Sequence, residues 1–256
     1  MSTEMSTDAA GRPAQAAPLQ VIAMHGWAGE ASQWAPWNEA VGPLGWRWCS
    51  AERGYGSAAA AMPAWETGRG RRVIVAHSMG PHLLPPPLLA GAEAVVLLAS
   101  FGRFVPPGRQ GRSLEAALAG MAAELEDEAR ARRMLERFLA LAAEPDPVEL
   151  MRPGPAQGPL SPDNRRRLRH DLHLLAGTRG LPQGFPSHVP LLIVEAADDR
   201  IVAPDVRALL RAACPAADVV TLPGTGHALL SAPVIPTVLD WLQASVAPAL
   251  APGAIA

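Results

Sequence analysis

The run Val73-Ile-Val-Ala-His-Ser-Met-Gly80 constrains this chain more than any other stretch. Apolar, mostly β-branched residues read as a buried strand, expected over Arg72–Ala76. His77 and Ser78 follow with no room for a loop, and Gly80-Pro81 then opens a helix, where proline is tolerated because a first-turn N–H has no partner anyway. A chain passing from strand to helix through x-Ser-x-Gly must turn sharply at the serine, so the flanking residues must be small. Such a turn pushes the Ser78 hydroxyl into the open and sets the Met79 N–H at a helix N-terminus, ready for an oxyanion. Ser78 is therefore the candidate nucleophile. Pro85-Pro86-Pro87 cannot lie in a helix interior, so the helix after the turn should last only about a turn and a half.

Around this turn, strand-like and helix-like segments alternate. Leu19–Met24, Trp46–Ser50, Ala94–Ala99, Val189–Glu195 and Asp218–Leu222 read as strands, and Gln33–Val41 and Val234–Ala247 as helices. Alternation of this kind predicts an α/β fold, a mostly parallel central sheet with helices on both faces. Strand patterning stops for about 90 residues after Ala99, far longer than an ordinary connection. Residues 102–188 instead carry three helical stretches, Arg112–Leu125, Glu126–Ala143 and Pro162–Leu175, separated by Pro/Gly joints. The expected organisation is a core of residues 19–101 and 189–247, a helical lid over 102–188, a disordered leader over 1–18 and a flexible tail over 248–256.

Composition removes several function classes. A hydrophobic fraction of 49% is ample for a core, while a net charge of −2 gives no case for nucleic acid. No apolar run is long enough to cross a bilayer, and Met1–Pro18 lacks the basic and apolar regions of a secretory signal, so a soluble, cytoplasmic monomer is expected. All 22 basic residues are arginines, which excludes a Schiff-base or phosphate-loop lysine. Cys49 and Cys214 read as buried thiols, and without CxxC or HExxH neither a metal nor a cofactor is expected.

A serine nucleophile needs a base and an acid to orient it. Of seven histidines, His227 lies beyond the last strand on the glycine-bounded loop Gly224-Thr-Gly-His. His77 and His82 flank the serine as surrounding or core residues, and His170, His173 and His188 fall in the insertion. Asp198, Asp199 and Asp205 all follow the strand ending near Glu195. Asp199-Arg-Ile-Val202 places an acid before an apolar pair able to anchor its loop, which makes Asp199 the first choice and Asp198 the second.

Together these motifs, with His25-Gly26-Trp27 after the first strand, resemble the α/β-hydrolase superfamily from Leu19 to about Ser245. The resemblance implies an α/β-hydrolase fold and a serine esterase with Ser78 as nucleophile, His227 as base and Asp199 as orienter. The backbone N–H groups of Trp27 and Met79 would form the oxyanion hole. Within the superfamily, Glu52-Arg-Gly-Tyr-Gly56, Ala76-His-Ser-Met-Gly-Pro-His82 and Ala99-Ser-Phe-Gly-Arg-Phe104 look similar to a cyanobacterial branch of the pimeloyl-[acyl-carrier protein] methyl ester esterases of biotin synthesis. That likeness implies a small acyl ester as substrate, borne on an acidic acyl-carrier protein. Arg130, Arg133, Arg137, Arg166 and Arg169 are the candidate docking residues, and 13 of the 22 arginines lie in the insertion. Eleven acids share the insertion, so an ordinary salt-bridged surface is an equal reading. Ala76 stands where the serine motif most often has glycine. Trp34, Trp37, Trp46, Trp48 and Trp65 are expected in the core. Alternatives within the fold are a general small-ester or lactone hydrolase, an acyltransferase, or a binding protein without catalysis.

Overall fold

The computed structural model describes residues 18–68, 70–230 and 233–246. Most of the expected leader, the whole expected tail, Ala247 of the last helix and Ser231 lie outside the described residues. Six strands form one parallel sheet in the order β2-β1-β3-β4-β5-β6: β1 (Leu19–Met24), β2 (Arg47–Ala51), β3 (Arg71–His77), β4 (Ala94–Leu98), β5 (Leu191–Ala196) and β6 (Asp218–Leu222). The four inner strands are mostly apolar on both faces, Gln20 and Glu195 being the buried polar exceptions, because both faces are covered. Alternation along β3 divides the core: Val73 and Val75 face the layer of α1 (Ala35–Val41) and α8 (Val234–Ser245). Ile74 and Ala76 face the opposite layer, with α2 (Gly80–Leu83), α3 (Pro86–Ala90) and α7 (Pro204–Ala213). No helix among the described residues is long and apolar enough to cross a membrane.

Between β4 and β5 the chain builds α4 (Arg109–Glu124), α5 (Glu128–Ala143) and α6 (Pro162–Gly177). Helix α5 starts two residues later than the hydrophobic spacing predicts, because the Asp127 side chain caps it by accepting the Arg130 N–H. Helix α6 begins at the expected Pro162 behind a capping box of Ser161 and Asn164. The triple proline keeps α2 short, as expected, and in addition opens a second helix. It ends α2 at Leu83 and then starts α3, with Pro86 and Pro87 in the first turn where neither missing N–H matters. Of the two cysteines, Cys214 is buried and Cys49 only partly so. The structure has Trp34 and Trp37 in the core as expected but also brings them to a cavity wall.

A buried polar cluster ties the insertion to the sheet. The Arg53 guanidinium donates two bonds to Asp171 on α6, at 2.7 and 2.8 Å, and the Tyr55 hydroxyl donates a third at 2.7 Å. Asp171 and Tyr55 are fully buried. Asn164 and Arg167 of the same helix donate to the carbonyls of Arg53, Gly54 and Gly56. The loop after β2, read from sequence only as a glycine-rich turn, is thus the floor on which α6 sits.

Candidate active site

Ser78 closes β3 with φ of 54°, a left-handed conformation that a non-glycine residue adopts only under constraint. The constraint is visible: the Ser78 N–H donates to the Leu98 carbonyl at 2.8 Å, and the Ser100 hydroxyl donates to the Ser78 carbonyl at 2.6 Å. Small neighbours make the turn possible. A Cβ at Gly26 would stand 2.8 Å from Ser78 Cβ, and one at Gly80 would stand 2.5 Å from the Met24 carbonyl. Ala76, in place of the usual glycine, is fully buried, between β1 and β4.

The structure brings Ser78, His227 and Asp199 together from three loops at the carboxyl ends of β3, β6 and β5. The Ser78 hydroxyl donates to His227 Nε2 at 2.9 Å, and His227 Nδ1–H donates to Asp199 Oδ2 at 2.9 Å. Asp199 Oδ1 accepts the N–H groups of Ile201 and Val202, both at 2.8 Å, which fixes its orientation. Burial pushes the Asp199 carboxyl up, but the His227 charge and hydrogen bond, with those two N–H groups, outweigh it and leave the acid below its ordinary range. Asp198, the second choice, is exposed and uses only its backbone, donating to the Thr225 carbonyl at 2.9 Å. Asp205 is exposed in the first turn of α7.

Trp27 and Met79 flank the serine from either side, after β1 and at the head of α2. Neither backbone N–H donates to another protein group among the described residues. Trp27 is held by its indole, which donates to the Leu168 carbonyl on α6 at 2.9 Å and meets Phe138 of α5 edge-on. His25 fixes the same loop: Nδ1–H donates to the Gly26 carbonyl at 2.8 Å while Nε2 accepts the Arg53 N–H at 3.1 Å.

His77 proves to be part of the site's frame. Its Nε2–H donates to the His227 carbonyl at 2.9 Å, and the two rings lie 5.0 Å apart. Burial, reinforced by repulsion from His227, pushes His77 down to about 4, so it stays neutral. His82 donates to the Phe101 carbonyl and belongs to the packing.

Ser78 and His227 open onto a cavity of about 390 Å³, walled by Trp27, Trp34, Trp37, Phe138, Leu139 and Ile235 among others. The five docking-candidate arginines lie elsewhere on α5 and α6, four of them exposed and Arg169 half-buried. Four have carboxylate partners: Arg130 with Asp127 at 3.9 Å, Arg137 with Glu124 at 2.8 Å, Arg169 with Glu126 at 3.3 Å, and Arg166 with Asp163. Arg133 is exposed beside them, near enough to Asp127 to favour its charge. Among the described residues no group of His, Cys, Asp and Glu is placed to hold a metal.

The site is a hydrogen-bonded serine–imidazole–carboxylate chain beside free backbone donors and an apolar cavity, an arrangement suited to acyl transfer. Comparisons with known proteins agree on the scaffold. No curated protein matches the sequence. An enol-lactonase from Burkholderia xenovorans LB400 superposes with a TM-score of 0.65 at 16% identity, over 88% of this chain and 91% of that one. An esterase from Exiguobacterium antarcticum gives 0.61 at 14% identity, over 88% and 91%. A bromoperoxidase from Bacillus anthracis gives 0.57 at 17% identity over the same shares, so likeness of fold extends across different activities. The model of the alpha/beta hydrolase family matches residues 21–235. This chain belongs to the alpha/beta hydrolase family.

Proposed function

We propose that this hydrolase is a serine carboxylic-ester hydrolase. The observation carrying the reading is the pair of 2.9 Å hydrogen bonds linking Ser78, His227 and Asp199, with the serine held left-handed at the cavity floor. In the proposed cycle His227 Nε2 takes the hydroxyl proton as Ser78 Oγ attacks the ester carbonyl. The carbonyl oxygen becomes an oxyanion held by the Trp27 and Met79 N–H groups. Collapse breaks the bond to the alkoxy oxygen, which leaves as alcohol with the proton from His227. Water then repeats the sequence on the acyl-serine, releasing acid and restoring Ser78. Asp199 keeps His227 in the tautomer that presents a bare Nε2 and balances the imidazolium.

Within that class, the sequence resemblance favours the methyl ester of a carrier-borne pimeloyl chain, and the apolar wall around Ser78 suits a methylene chain. The docking-candidate arginines of α5 and α6 supply basic groups for an acidic carrier, although four of the five are already paired with acids. Charge reversal at Arg133 and Arg137 should weaken turnover of a carrier-borne ester and spare a small one; equal loss on both would reject docking there.

The test compares hydrolysis of pimeloyl-carrier methyl ester with that of a short p-nitrophenyl ester, using Ser78→Ala as control. Turnover abolished in the variant, with fluorophosphonate labelling of Ser78 in the native protein, supports the esterase. Failure of the folded protein to label sinks it. Preference for the carrier-borne ester would support the pimeloyl assignment; cleavage of the small ester alone would reject it.

A further inference from the structure

Among the described residues, the wall of the cavity above Ser78 contains no Asp or Glu, and Arg152 is its one arginine. The other side chains around it are overwhelmingly apolar or aromatic. Arg152 stands on the segment joining α5 to α6, directly after the turn Val148–Leu150, and its neighbours Leu150 and Met151 line the same cavity. The segment is fixed just beyond this point. Pro155 and Ala156 are buried, Arg132 donates to the Ala156 carbonyl at 2.6 Å, and the Gly154 N–H donates to the Gln157 side chain at 2.8 Å. Several arginines of the insertion are occupied structurally, Arg132, Arg165 and Arg167 by backbone carbonyls. Arg152 has no hydrogen-bond or ion-pair partner among the described residues, and it is exposed.

Arg152 both lines the cavity and is exposed, so its guanidinium is available to a ligand at the cavity's margin. It offers a neutral carbonyl an ordinary hydrogen bond, but an anion a planar, charge-assisted pair of donors. Resting on the esterase reading above, we propose that Arg152 recognises an anionic group, carboxylate or phosphate, on the part of the ester remote from Ser78. The apolar middle of the substrate then lies along Trp34, Trp37, Phe138 and Leu139. Two sources could present that anion: a free dicarboxylic half-ester, or an ester on a phosphate-bearing carrier arm.

Binding to the Ser78→Ala protein tests this without requiring turnover. Calorimetry compares monomethyl with dimethyl esters of adipate, pimelate and suberate, and the methyl pimeloyl thioester of phosphopantetheine with that of pantetheine. In at least one pairing the anionic member should bind roughly tenfold more tightly, as befits one partly hydrated charge-assisted contact. Adding Arg152→Gln should erase that preference and leave the neutral ligand's affinity unchanged, while Arg152→Lys retains part of it. Preference confined to half-esters identifies a carboxylate; preference confined to phosphopantetheine identifies the carrier arm. Absence of preference in every pairing, or its survival in Arg152→Gln, overturns the proposal. Wild-type hydrolysis is scored separately: anion preference without any turnover would retire the esterase reading and leave Arg152's role standing.

Discussion

Removing the Asp171 carboxylate should be the most damaging single change away from the reaction centre. Asp171→Ala leaves the Tyr55 hydroxyl, fully buried, without its acceptor, and the Arg53 guanidinium without its paired anion. Breaking a buried ion pair from one side costs about 3–5 kcal/mol. The Arg53 side chain keeps 29% of its surface in water, which lets it rehydrate and favours the lower end. An orphaned buried hydroxyl adds about 1 kcal/mol. A loss of roughly 3–4 kcal/mol is expected, against a typical total stability of about 5–15 kcal/mol, so the variant should still fold. At about 2–4 °C per kcal/mol for a chain of this size, Tm should fall by around 10 °C. Urea unfolding followed by circular dichroism measures the loss directly. The triple change Arg53→Met, Tyr55→Phe, Asp171→Leu should recover much of it, since no orphan remains. A deficit under about 1 kcal/mol for Asp171→Ala would show that the cluster is not a tie between α6 and the sheet.

Three further outcomes follow from the site. Ser78→Ala, His227→Gln and Asp199→Asn should each lower kcat by roughly 10⁴-fold in ester hydrolysis, and combining Ser78→Ala with His227→Gln should add little, because the residues act as a unit; additive losses would argue against a shared relay. Gly26→Ala forces a methyl against Ser78 Cβ and should cost about 10²-fold in kcat by disturbing the oxyanion side, whereas Gly42→Ala, which meets nothing within 4 Å, should leave activity intact. For His77 the folded pKa of about 4 lies below the ordinary 6.5 of a free imidazole, so the unfolded chain takes up a proton the folded one refuses. Its contribution is therefore complete above pH 6.5 and drains away as pH falls toward 4, by at most about 2 kcal/mol at pH 5, less where the ring meets the cavity. Urea midpoints at pH 7.5 and 5 should separate less in His77→Gln than in the native protein; equal separations would refute the assignment.

Much of this architecture is legible in the sequence because its causes are local. All six strands lie within two residues of their expected bounds, since apolar runs bounded by turn residues leave little choice, and the β3–Ser78–α2 turn follows from the small residues and proline beside it. Asp199 and His227 are readable as loop positions following identifiable strands. What the sequence hides is long-range. Arg53 and Asp171 are 118 positions apart, and nothing near either one announces the pair. The Trp34 and Trp37 rings look like core residues and are, yet the same rings form a cavity wall once α1 packs against the sheet. Arg152 is one arginine among 13 in the insertion, distinguished only by the cavity it borders. Helix α7 was more accessible: Ala203-Pro204-Asp205 carries a proline at the first helical position and an acid in the first turn, the usual marks of a helix start.

The insertion is fastened to the reacting groups as well as to the fold, and this limits how the cavity can open. At one end of α5, the Ala228 N–H beside His227 donates to the Ala142 carbonyl at 2.9 Å, and Arg200 beside Asp199 pairs with Glu144 at 2.6 Å. On α6, the Leu168 carbonyl holds the Trp27 indole, whose own backbone N–H is an oxyanion candidate. Lifting α5 and α6 as a body would therefore displace His227 and the Trp27 loop together, besides exposing Asp171. The residues at 148–152 carry none of these ties: Val148 and Leu150 are exposed, and their backbone bonds are local to one turn. Movement confined to that segment would widen the mouth while Ser78, His227 and Trp27 stay in register. Arg152, the arginine of the cavity wall, stands on this segment, whose backbone hydrogen bonds among the described residues reach neither the Ser78 turn nor the His227 and Trp27 loops.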